Sequence, residues 1–258
     1  MSRLRAKCPD CRAYTAVALG PEYECHACGR TFAAGLVRVP RAWGSGGESM
    51  AEAAWLSLPY PEAAVIEEDA LAAQSLALAL ELPERPLVLG GCCCSHVGAV
   101  EALSARHGRI AVVWLDAHGD LNTVESSPSG NEWGMPLRML LDSGAVQARD
   151  TALVGARNLD PPEEEFIAAA GVGTGSEAVV SALDGTVGAY VAVDFDAFGE
   201  DEVAPFMPEP GGLSLEEAEE LLAAVRRRID VLGIGFSGLL LDERNLEPAR
   251  RLTAALGL

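Results

Sequence analysis

Short apolar runs rich in branched side chains alternate along this chain with longer stretches of helical periodicity, and this alternation constrains the fold more than any other feature. The apolar runs are Pro86–Leu89, Ile110–Leu115, Ala152–Val154, Tyr190–Val193 and Val231–Ile234, and the helical stretches include Pro61–Leu82, Leu213–Arg228 and Glu247–Leu256. Strands that alternate with helices form βαβ units, in which parallel strands are covered by helices on both faces. We therefore expect an α/β fold, a three-layer α/β/α arrangement with a mainly parallel sheet.

The first part of the chain carries two cysteine pairs with metal-site spacing. Cys8 and Cys11 form one CxxC pair, and Cys25 and Cys28 form a second. Four thiolates at this spacing can surround a tetrahedral Zn²⁺, which would supply the folding energy that so small a segment lacks. We predict a structural zinc in a ribbon-like module over residues 1–34, with a redox pair or free thiols as the alternatives. The main domain is then residues 35–258, entered through a Gly- and Pro-rich linker at about 35–60.

The overall charge is strongly acidic. Asp and Glu total 38 against 19 Lys and Arg, a net charge of −19, and phosphate backbones need clustered cations, so nucleic acid is not an expected partner. A local exception is the basic start of the chain, where Arg3, Arg5, Lys7 and Arg12 leave a nucleic-acid role for the ribbon open. No apolar run approaches the ~20 residues that span a bilayer, and no signal-peptide pattern is present. We expect a cytoplasmic protein without a membrane partner.

Acidic side chains cluster where two of the apolar runs end. Asp116, His118 and Asp120 follow the run Ile110–Leu115, and the pair Asp194 and Asp196 follows Tyr190–Val193. The carboxyl ends of parallel strands line the ligand crevice of open α/β sheets, and buried carboxylates this close need cations. Mixed carboxylate and imidazole ligands suit Mn²⁺ and related divalent ions. The sequence therefore predicts a metal site here, and an acidic surface rim is the alternative.

The ordered set of motifs resembles the ureohydrolase family, which contains arginase, agmatinase and formimidoylglutamase. The matching segments are Gly90-Gly91, Asp116-Ala117-His118-Gly119-Asp120, Gly134-Met135-Pro136-Leu137, Asp194-Phe195-Asp196, Ala204-Pro205 and Gly211-Gly212-Leu213. The resemblance implies two Mn²⁺ ions that activate a water molecule for attack on a guanidinium carbon, with release of urea and an amine. It further implies that Asp116 and Asp194 touch both ions, that Asp120 binds one, and that His118 and Asp196 bind the other. Asp120 would then pass a proton to the leaving amine, and the protein would form a homo-oligomer.

The same resemblance suggests residues that hold the substrate. Ser129-Gly130-Asn131 is similar to a loop that binds the α-carboxylate in arginase, so Ser129 and Asn131 are expected to bind substrate. Asp160 resembles a residue near the α-amino group, and Glu243 resembles a carboxylate that faces the guanidinium. On this basis we place arginine-like substrates ahead of agmatine-like ones. The alternative for each residue is an ordinary polar loop position.

Two positions depart from the family pattern. Cys93 stands where the first motif has a His ligand, and a thiolate there would favour a softer ion such as Zn²⁺. The alternatives are that His96 replaces it, that this metal position is weak, or that the cysteines are only buried. Trp133 stands where a His helps to move protons; indole cannot do so, and Glu132 is a candidate replacement.

The sequence supports two functions of different kinds. The first is a hydrolase of C–N bonds in linear guanidino or amidino compounds, favoured because the acidic ligands are all present. The second is a metal- or ligand-binding regulatory protein that has lost turnover, which Cys93, Trp133 and the appended ribbon favour.

Overall fold

The computed structural model of the protein describes residues 5–6, 8, 10–11, 13, 15–19, 22–32 and 34–258. Arg3, Lys7 and Arg12, on which a nucleic-acid role would depend, lie outside the described residues, as does the side chain of Arg5. Among the described residues, no helix is both long and apolar enough to cross a bilayer.

The described part of the chain forms two sheets and the helices that cover the larger one. The strands are β1 (Arg5–Ala6), β2 (Ala16–Leu19), β3 (Glu22–Cys25), β4 (Thr31–Phe32), β5 (Ala34–Val39), β6 (Glu62–Val65), β7 (Arg85–Gly90), β8 (Ala111–Leu115), β9 (Thr151–Val154), β10 (Gly173–Thr174), β11 (Ala189–Asp194) and β12 (Val231–Ser237). The α-helices are α1 (Glu48–Glu52), α2 (Leu71–Glu81), α3 (Ser95–His107), α4 (Pro136–Asp142), α5 (Pro161–Ala170), α6 (Ala178–Ala182), α7 (Leu215–Arg228) and α8 (Leu246–Ala255).

The large sheet has the strand order β10-β9-β8-β11-β12-β7-β5-β6, and every neighbouring pair in it is parallel. Its central strands are buried along their whole length, as expected for a parallel sheet covered on both faces. The predicted α/β fold with a mainly parallel sheet is therefore confirmed.

Alternating side chains of the sheet enter two separate apolar cores. Leu87 and Leu89 point into a core that includes Leu222 of α7, whereas Val88 points into a core that includes Val100 of α3. This alternation is the two-residue period of an extended strand. Helices thus cover both faces, which gives the three layers that the sequence predicts.

Two expectations for the segment between residues 35 and 82 were wrong. The stretch expected to be a linker begins with β5, whose residues Leu36, Val37 and Val39 are fully buried between β6 and β7. The helix predicted over Pro61–Leu82 is interrupted, because Glu62–Val65 forms the edge strand β6 and only Leu71–Glu81 is helical. Pairing with β5 satisfies the backbone of this alanine-rich segment, so the tertiary environment overrides its helical pattern.

The small sheet at the start of the chain is antiparallel, with the order β1-β2-β3-β4. Its described apolar core is limited to Cys8, Ala16, Cys25 and Phe32, with Tyr23 stacked on Phe32 at 5.6 Å between ring centroids. A core of this size cannot stabilise a fold alone, and two of its four members are cysteines.

A buried polar chain joins α3 to the centre of the large sheet. One ring nitrogen of His96 lies 3.0 Å from the Tyr190 hydroxyl, and the other lies 3.0 Å from the Ser237 hydroxyl. Burial lowers the pKa of His96 to about 3, so its ring is neutral. Both nitrogens of His96 are therefore hydrogen-bonded to hydroxyl groups, and the structure gives no support to His96 as a replacement metal ligand.

Gly235 leaves the space that this chain of hydrogen bonds occupies. A Cβ at position 235 would overlap the Tyr190 hydroxyl and the His96 ring. We expect Gly235→Ala to lower the free energy of unfolding by about 1–3 kcal/mol, as overpacking of a core does. Urea denaturation measures this loss. Gly199→Ala is the matched control, since its Cβ would lie 3.7 Å from the nearest atom; equal stability of both variants would contradict the role given to Gly235.

Candidate functional site

The two acidic motifs meet at the carboxyl edge of the sheet. Strands β8 and β11 are parallel neighbours with Leu115 paired to Val193, so Asp116 and Asp194 leave adjacent strands at the same level. After Asp194 the chain enters a 3-10 turn over Phe195–Ala197, and the Asp196 backbone N–H donates to Asp194 Oδ1 at 3.0 Å. The predicted convergence of the two motifs is present in the structure.

Asp116, His118 and Asp196 form one compact group of potential ligands. Each offers an atom within 4.8 Å of the others. The Nδ1 of His118 lies 3.0 Å from Asp196 Oδ2 and 3.5 Å from Asp116 Oδ1. The Ala117 backbone N–H donates to Asp196 Oδ1 at 3.0 Å, which fixes the Asp196 carboxylate. Two carboxylates and one imidazole in this arrangement are a donor set that divalent ions bind.

Cys93 belongs to a second group, which overlaps the first at Asp116. Cys93, Asp116 and Asp120 each present a ligand atom within 4.8 Å of the others. The Cys93 Sγ lies 2.9 Å from Asp194 Oδ2 and 3.8 Å from Asp116 Oδ2. Ser237 also contacts this thiol, at 3.1 Å from its hydroxyl oxygen. The departure from the family pattern therefore lies inside the site, between the carboxylates.

Asp120 shows that the second group fits a cation. Its Oδ2 is buried and has no hydrogen-bond partner among the described residues. A buried carboxylate oxygen without a partner is costly, and a bound cation removes that cost. The backbone at Asp120 adopts a left-handed conformation with φ of 53°, and its carbonyl accepts from the Arg138 N–H at 3.0 Å. The turn that aims Asp120 inward is therefore anchored to the start of α4.

The buried carboxyl groups shift each other's protonation. Burial and the Asp196 charge raise the pKa of Asp194 to about 7. Burial and the Asp116 charge raise the pKa of Asp196 to about 6. Burial opposes protonation of His118, but the hydrogen bonds and charges of Asp116 and Asp196 outweigh it and raise its pKa to about 12. Burial also raises the pKa of Asp120 well above its usual range. Without cations, the cluster must therefore hold protons at neutral pH.

The clustered groups form the floor of a cavity of about 150 Å³. Its lining is polar on the floor and apolar at several other positions. The lining residues are Met50, Cys92, Cys93, Asp116, His118, Asp120, Asn122, Ser127, Pro128, Ser129, Trp133, Gly134, Asn158, Asp160, Glu163, Asp194, Asp196, Phe206, Met207 and Gly238.

The residues expected to bind substrate are only partly at this cavity. Ser129 and Asp160 line it, whereas Asn131 and Glu243 do not. Asn131 Oδ1 instead accepts from the Ser45 backbone N–H at 2.9 Å. Glu243 lies exposed in a 3-10 turn (Glu243–Asn245). The structure therefore does not place Glu243 in the lining of the cavity; of the described residues beyond β12, Gly238 lines it.

Trp133 lines the cavity, but Glu132, its proposed replacement as a proton carrier, does not. The lining residues that sequence reasoning missed include three large apolar ones, Met50, Phe206 and Met207. A weak signal for two of them existed, because Phe206 and Met207 directly follow the family-like Ala204-Pro205.

Glu163 is a further lining residue that the sequence did not indicate. Its carboxylate accepts from the Leu121 backbone N–H at 2.9 Å and from the Asp160 backbone N–H at 2.9 Å. It thus connects the turn that carries Asp120 to the start of α5. The signal was the capping-box spacing of Asp160 and Glu163, which the sequence contains.

The four N-terminal cysteines converge on a separate point. Their sulfur atoms lie within 4.8 Å of one another, with Cys8 to Cys28 at 3.7 Å and Cys11 to Cys25 at 3.8 Å. Four sulfurs at about 2.3 Å from a tetrahedral zinc are about 3.8 Å apart. The Thr15 hydroxyl lies 3.1 Å from Cys25 Sγ and lowers the pKa of that thiol to about 6. The predicted cluster of four cysteines is therefore present and has the dimensions of a zinc site.

Metal should stabilise the protein most at alkaline pH. The folded cluster keeps protons on Asp194 and Asp196 that the unfolded chain releases above about pH 4, so the free energy of unfolding of the metal-stripped protein falls as pH rises. We expect its Tm to fall between pH 5.5 and 8. Divalent ions at ~100-fold above their Kd at pH 8 should raise Tm by about 5–10 °C at that pH, and the same concentration should raise it less at pH 5.5, because protons compete for the carboxylates.

Thermal unfolding of the metal-stripped and metal-loaded protein checks this dependence. Asp194→Asn should flatten the pH slope and reduce the response to metal, whereas Asp201→Asn, at an exposed position, should change neither. A Tm at pH 8 that does not respond to any divalent ion would contradict the assignment of a cation to the cluster.

Comparison with known proteins identifies the family to which the chain is similar. The sequence model of the arginase family matches residues 56–237, more than half of the chain. The arginase of Staphylococcus aureus (strain COL) is 46% identical over 92 residues, 32% of this chain and 30% of that protein. The Bacillus caldovelox arginase is 30% identical over 190 residues, 62% and 63% of the two chains. The chain thus matches less than two thirds of the length of these relatives.

A solved structure of Bacillus subtilis arginase shares the fold, with a TM-score of 0.76 at 21% identity over 87% of this chain and 98% of that one. The range matched by the family model contains Cys93, Asp116 and Asp194. The chain is therefore a member of the arginase family.

Proposed function

We propose that this protein is a two-metal hydrolase that cleaves a C–N bond of a linear guanidino or amidino compound. The observation that carries the proposal is the pair of overlapping ligand groups that share Asp116 at the floor of one cavity. The unpartnered Oδ2 of Asp120 supports it, because that atom lies where a cation would satisfy it.

The ions would be held by residues of both groups. His118 and Asp196 would bind one ion and Cys93 and Asp120 the other, while Asp116 and Asp194 would contact both. Bound there, divalent ions lower the pKa of water so that it becomes a nucleophile near neutral pH. We propose Mn²⁺ as the ion of the His118 position; the Cys93 thiol supports Zn²⁺ at the other.

The chain's own groups would complete the reaction. The water oxygen forms a bond to the guanidinium or amidinium carbon, and the C–N bond to the amine breaks. Asp120 is the group proposed to take a proton from the attacking water and hand it to the leaving nitrogen. Glu163 and the Arg138 backbone N–H would act as positioning groups, because they hold the turn that aims Asp120.

The substrate is proposed at the level of a chemical class. The sequence ranks arginine-like compounds ahead of agmatine-like ones because of the loop at residues 129–131. That ranking gains no support from geometry, since the Asn131 amide oxygen is bound to the Ser45 N–H and Asn131 does not line the cavity. Ser129 and Asp160 remain candidates for contact with the substrate, and Glu243 is not retained as one.

Release of urea tests the proposal. Metal-loaded protein is offered arginine, agmatine, guanidino acids and simple alkylguanidines separately, and urea and amine are measured together. We expect urea from at least one of them, and a loss of about 10³-fold or more in kcat/KM for Asp116→Asn, because Asp116 belongs to both ligand groups. Asp142→Asn, at an exposed ion pair with Arg138, is the control and should retain full activity.

A second candidate is a metal- or ligand-binding regulatory protein without turnover. Cys93 among the carboxylates and Trp133 at the cavity favour it, because neither is the residue that the family pattern has there. No hydrolysis of any guanidine or amidine by protein with both ions demonstrably bound would reject the enzyme and leave this candidate.

We also propose that residues 1–34 form a zinc-binding module attached to a hydrolase domain of residues 35–258. The four sulfurs at zinc-site spacing support the first part of this division. The module would brace the domain or bind a partner. Assembly of the protein into a homo-oligomer, which the family resemblance implies, is part of the same proposal and is measurable by light scattering.

Zinc content tests the module separately from activity. Cys25→Ser should lose about one zinc per chain and expose the first residues to protease, because a three-thiolate site binds zinc more weakly. Elemental analysis and limited proteolysis measure both effects. Cys94→Ala is the control, since Cys94 belongs to none of the three groups of potential ligands. A full zinc content in Cys25→Ser would contradict the module.

A further inference from the structure

Part of the cavity lining has no role in holding metal or moving protons. Met50, Trp133, Phe206 and Met207 line the same space as the acidic floor, and we call these four residues the apolar wall. Met207 is 38% exposed, which places it toward solvent, whereas Met50 is buried. A compound whose amidine carbon reaches the floor must therefore place its substituent within reach of apolar side chains.

The position of Trp133 within this wall is fixed by its neighbours. A Cβ on Gly44 would overlap the six-membered ring of Trp133, and one on Gly47 would lie 2.9 Å from Cζ3 of the same ring. The Trp133 backbone N–H donates to the Trp43 carbonyl at 3.2 Å. Phe206 meets the indole edge-to-face, with the ring centroids 6.3 Å apart. Two glycines thus create the space for an indole that faces the cavity, and the wall is preorganised.

The cavity offers a carboxylate substituent no lysine or arginine partner, since none of the described residues that line it is lysine or arginine. His118, which is also in the lining, is paired with Asp116 and Asp196 on the floor. The guanidinium of Arg157 is close, but it donates to the backbone carbonyls of Gly155, Asp196, Glu209 and Pro210. The Ser129 hydroxyl accepts from the Asn131 N–H at 3.2 Å. A carboxylate brought here would lose hydration without gaining a charged partner.

Two further carboxylates add negative charge to the cavity and so disfavour the binding of anions. Asp160 and Glu163 line it in addition to the four aspartates of the floor. Asp160 Oδ2 accepts from the Asn122 amide at 2.8 Å, and both oxygens of Glu163 accept from backbone N–H groups. These hydrogen bonds hold the turn that carries Asp120 and the start of α5. The charge of the two acids repels a carboxylate, while an ammonium group on the substituent would lose hydration against the apolar wall.

We propose that the site accepts a guanidine or amidine whose substituent is uncharged and apolar, and that Trp133 is the residue that selects it. This inference rests on the proposed function, because it takes the amidine carbon to lie at the acidic floor. It replaces the arginine-like ranking with a substrate class that lacks a carboxylate.

Three ligands of similar chain length test the proposal. Butylguanidine and 4-guanidinobutyrate share a three-methylene spacer that ends in a methyl or a carboxylate group, and agmatine carries an ammonium group on a spacer one methylene longer. Their affinities for the metal-loaded, full-length protein are measured by calorimetry, and turnover is measured separately as urea release. We expect butylguanidine to bind about tenfold or more tightly than 4-guanidinobutyrate, and agmatine to bind no more tightly than butylguanidine.

Variants of the wall assign the preference to its residues. Trp133→Ala and Phe206→Ala should each weaken butylguanidine binding by about tenfold and leave 4-guanidinobutyrate binding nearly unchanged. Trp133→Phe should retain most of the preference, and it covers the case in which the alanine variant does not fold. Trp55→Ala removes a tryptophan that is 48% exposed and outside the cavity, so it should bind all three ligands as the unaltered protein does.

The outcomes separate this proposal from the proposed function. Equal or tighter binding of 4-guanidinobutyrate, tenfold tighter binding of agmatine, or an unchanged preference in Trp133→Ala and Phe206→Ala overturns the apolar selection, whether or not urea is released. The expected order of binding without any urea supports the selection and rejects the hydrolase. The expected order with urea released fastest from butylguanidine supports both.

Discussion

Repulsion among buried carboxylates is the constraint on which the rest of this structure depends. Asp116, Asp120, Asp194 and Asp196 lie buried at the carboxyl edge of one sheet, and each has its pKa raised by burial. Such a cluster persists only if protons or cations compensate its charge. The parallel sheet brings these groups together, and on the proposed function cations bound between them would compensate their charge.

The supporting residues act on the orientation of these carboxylates. Neutral His96 joins Tyr190 to Ser237, and Ser237 in turn contacts the Cys93 thiol. Glu163 holds the turn that carries Asp120 from the other side. Removing any of these hydrogen bonds would therefore change the orientation of the Cys93 thiol or of the carboxylates, although those side chains themselves would be unaltered. The site is a rigid floor built from strand ends and supported from two helices, α3 and α5.

The acidic floor was predictable from the sequence because its signals are local. Each aspartate follows an apolar run that forms a strand, as Asp116 follows β8, so sheet topology alone brings the motifs together. Elements that form only through contacts with residues distant in the sequence could not be predicted in the same way. The strand β5 lies beside glycines and prolines, and the alanine-rich start of the predicted helix over residues 61–82 became the edge strand β6 by pairing with β5. Glu243 was assigned from a loose local match, and it lies away from the cavity.

The apolar wall could not be predicted from the sequence for the same physical reason. Met50 lies in α1 and Phe206 in a loop more than a hundred residues later, and only tertiary packing places them around Trp133. The sequence identified Trp133 as a lost proton carrier, whereas the structure gives it a shape-determining place fixed by Gly44 and Gly47. The two departures from the family pattern thus lie in different parts of the site: Cys93 is among the carboxylates of the floor, and Trp133 is in the apolar wall.

The most direct test of this account is anomalous diffraction from crystals of the full-length protein grown with Mn²⁺ and Zn²⁺, recorded at both absorption edges. The account predicts two peaks at the floor of the cavity, one among Asp116, His118 and Asp196 and the other among Cys93, Asp116 and Asp120. A well-ordered cavity without anomalous density, with the aspartates hydrogen-bonded to one another as acids, would contradict the claim that the cluster is a metal site.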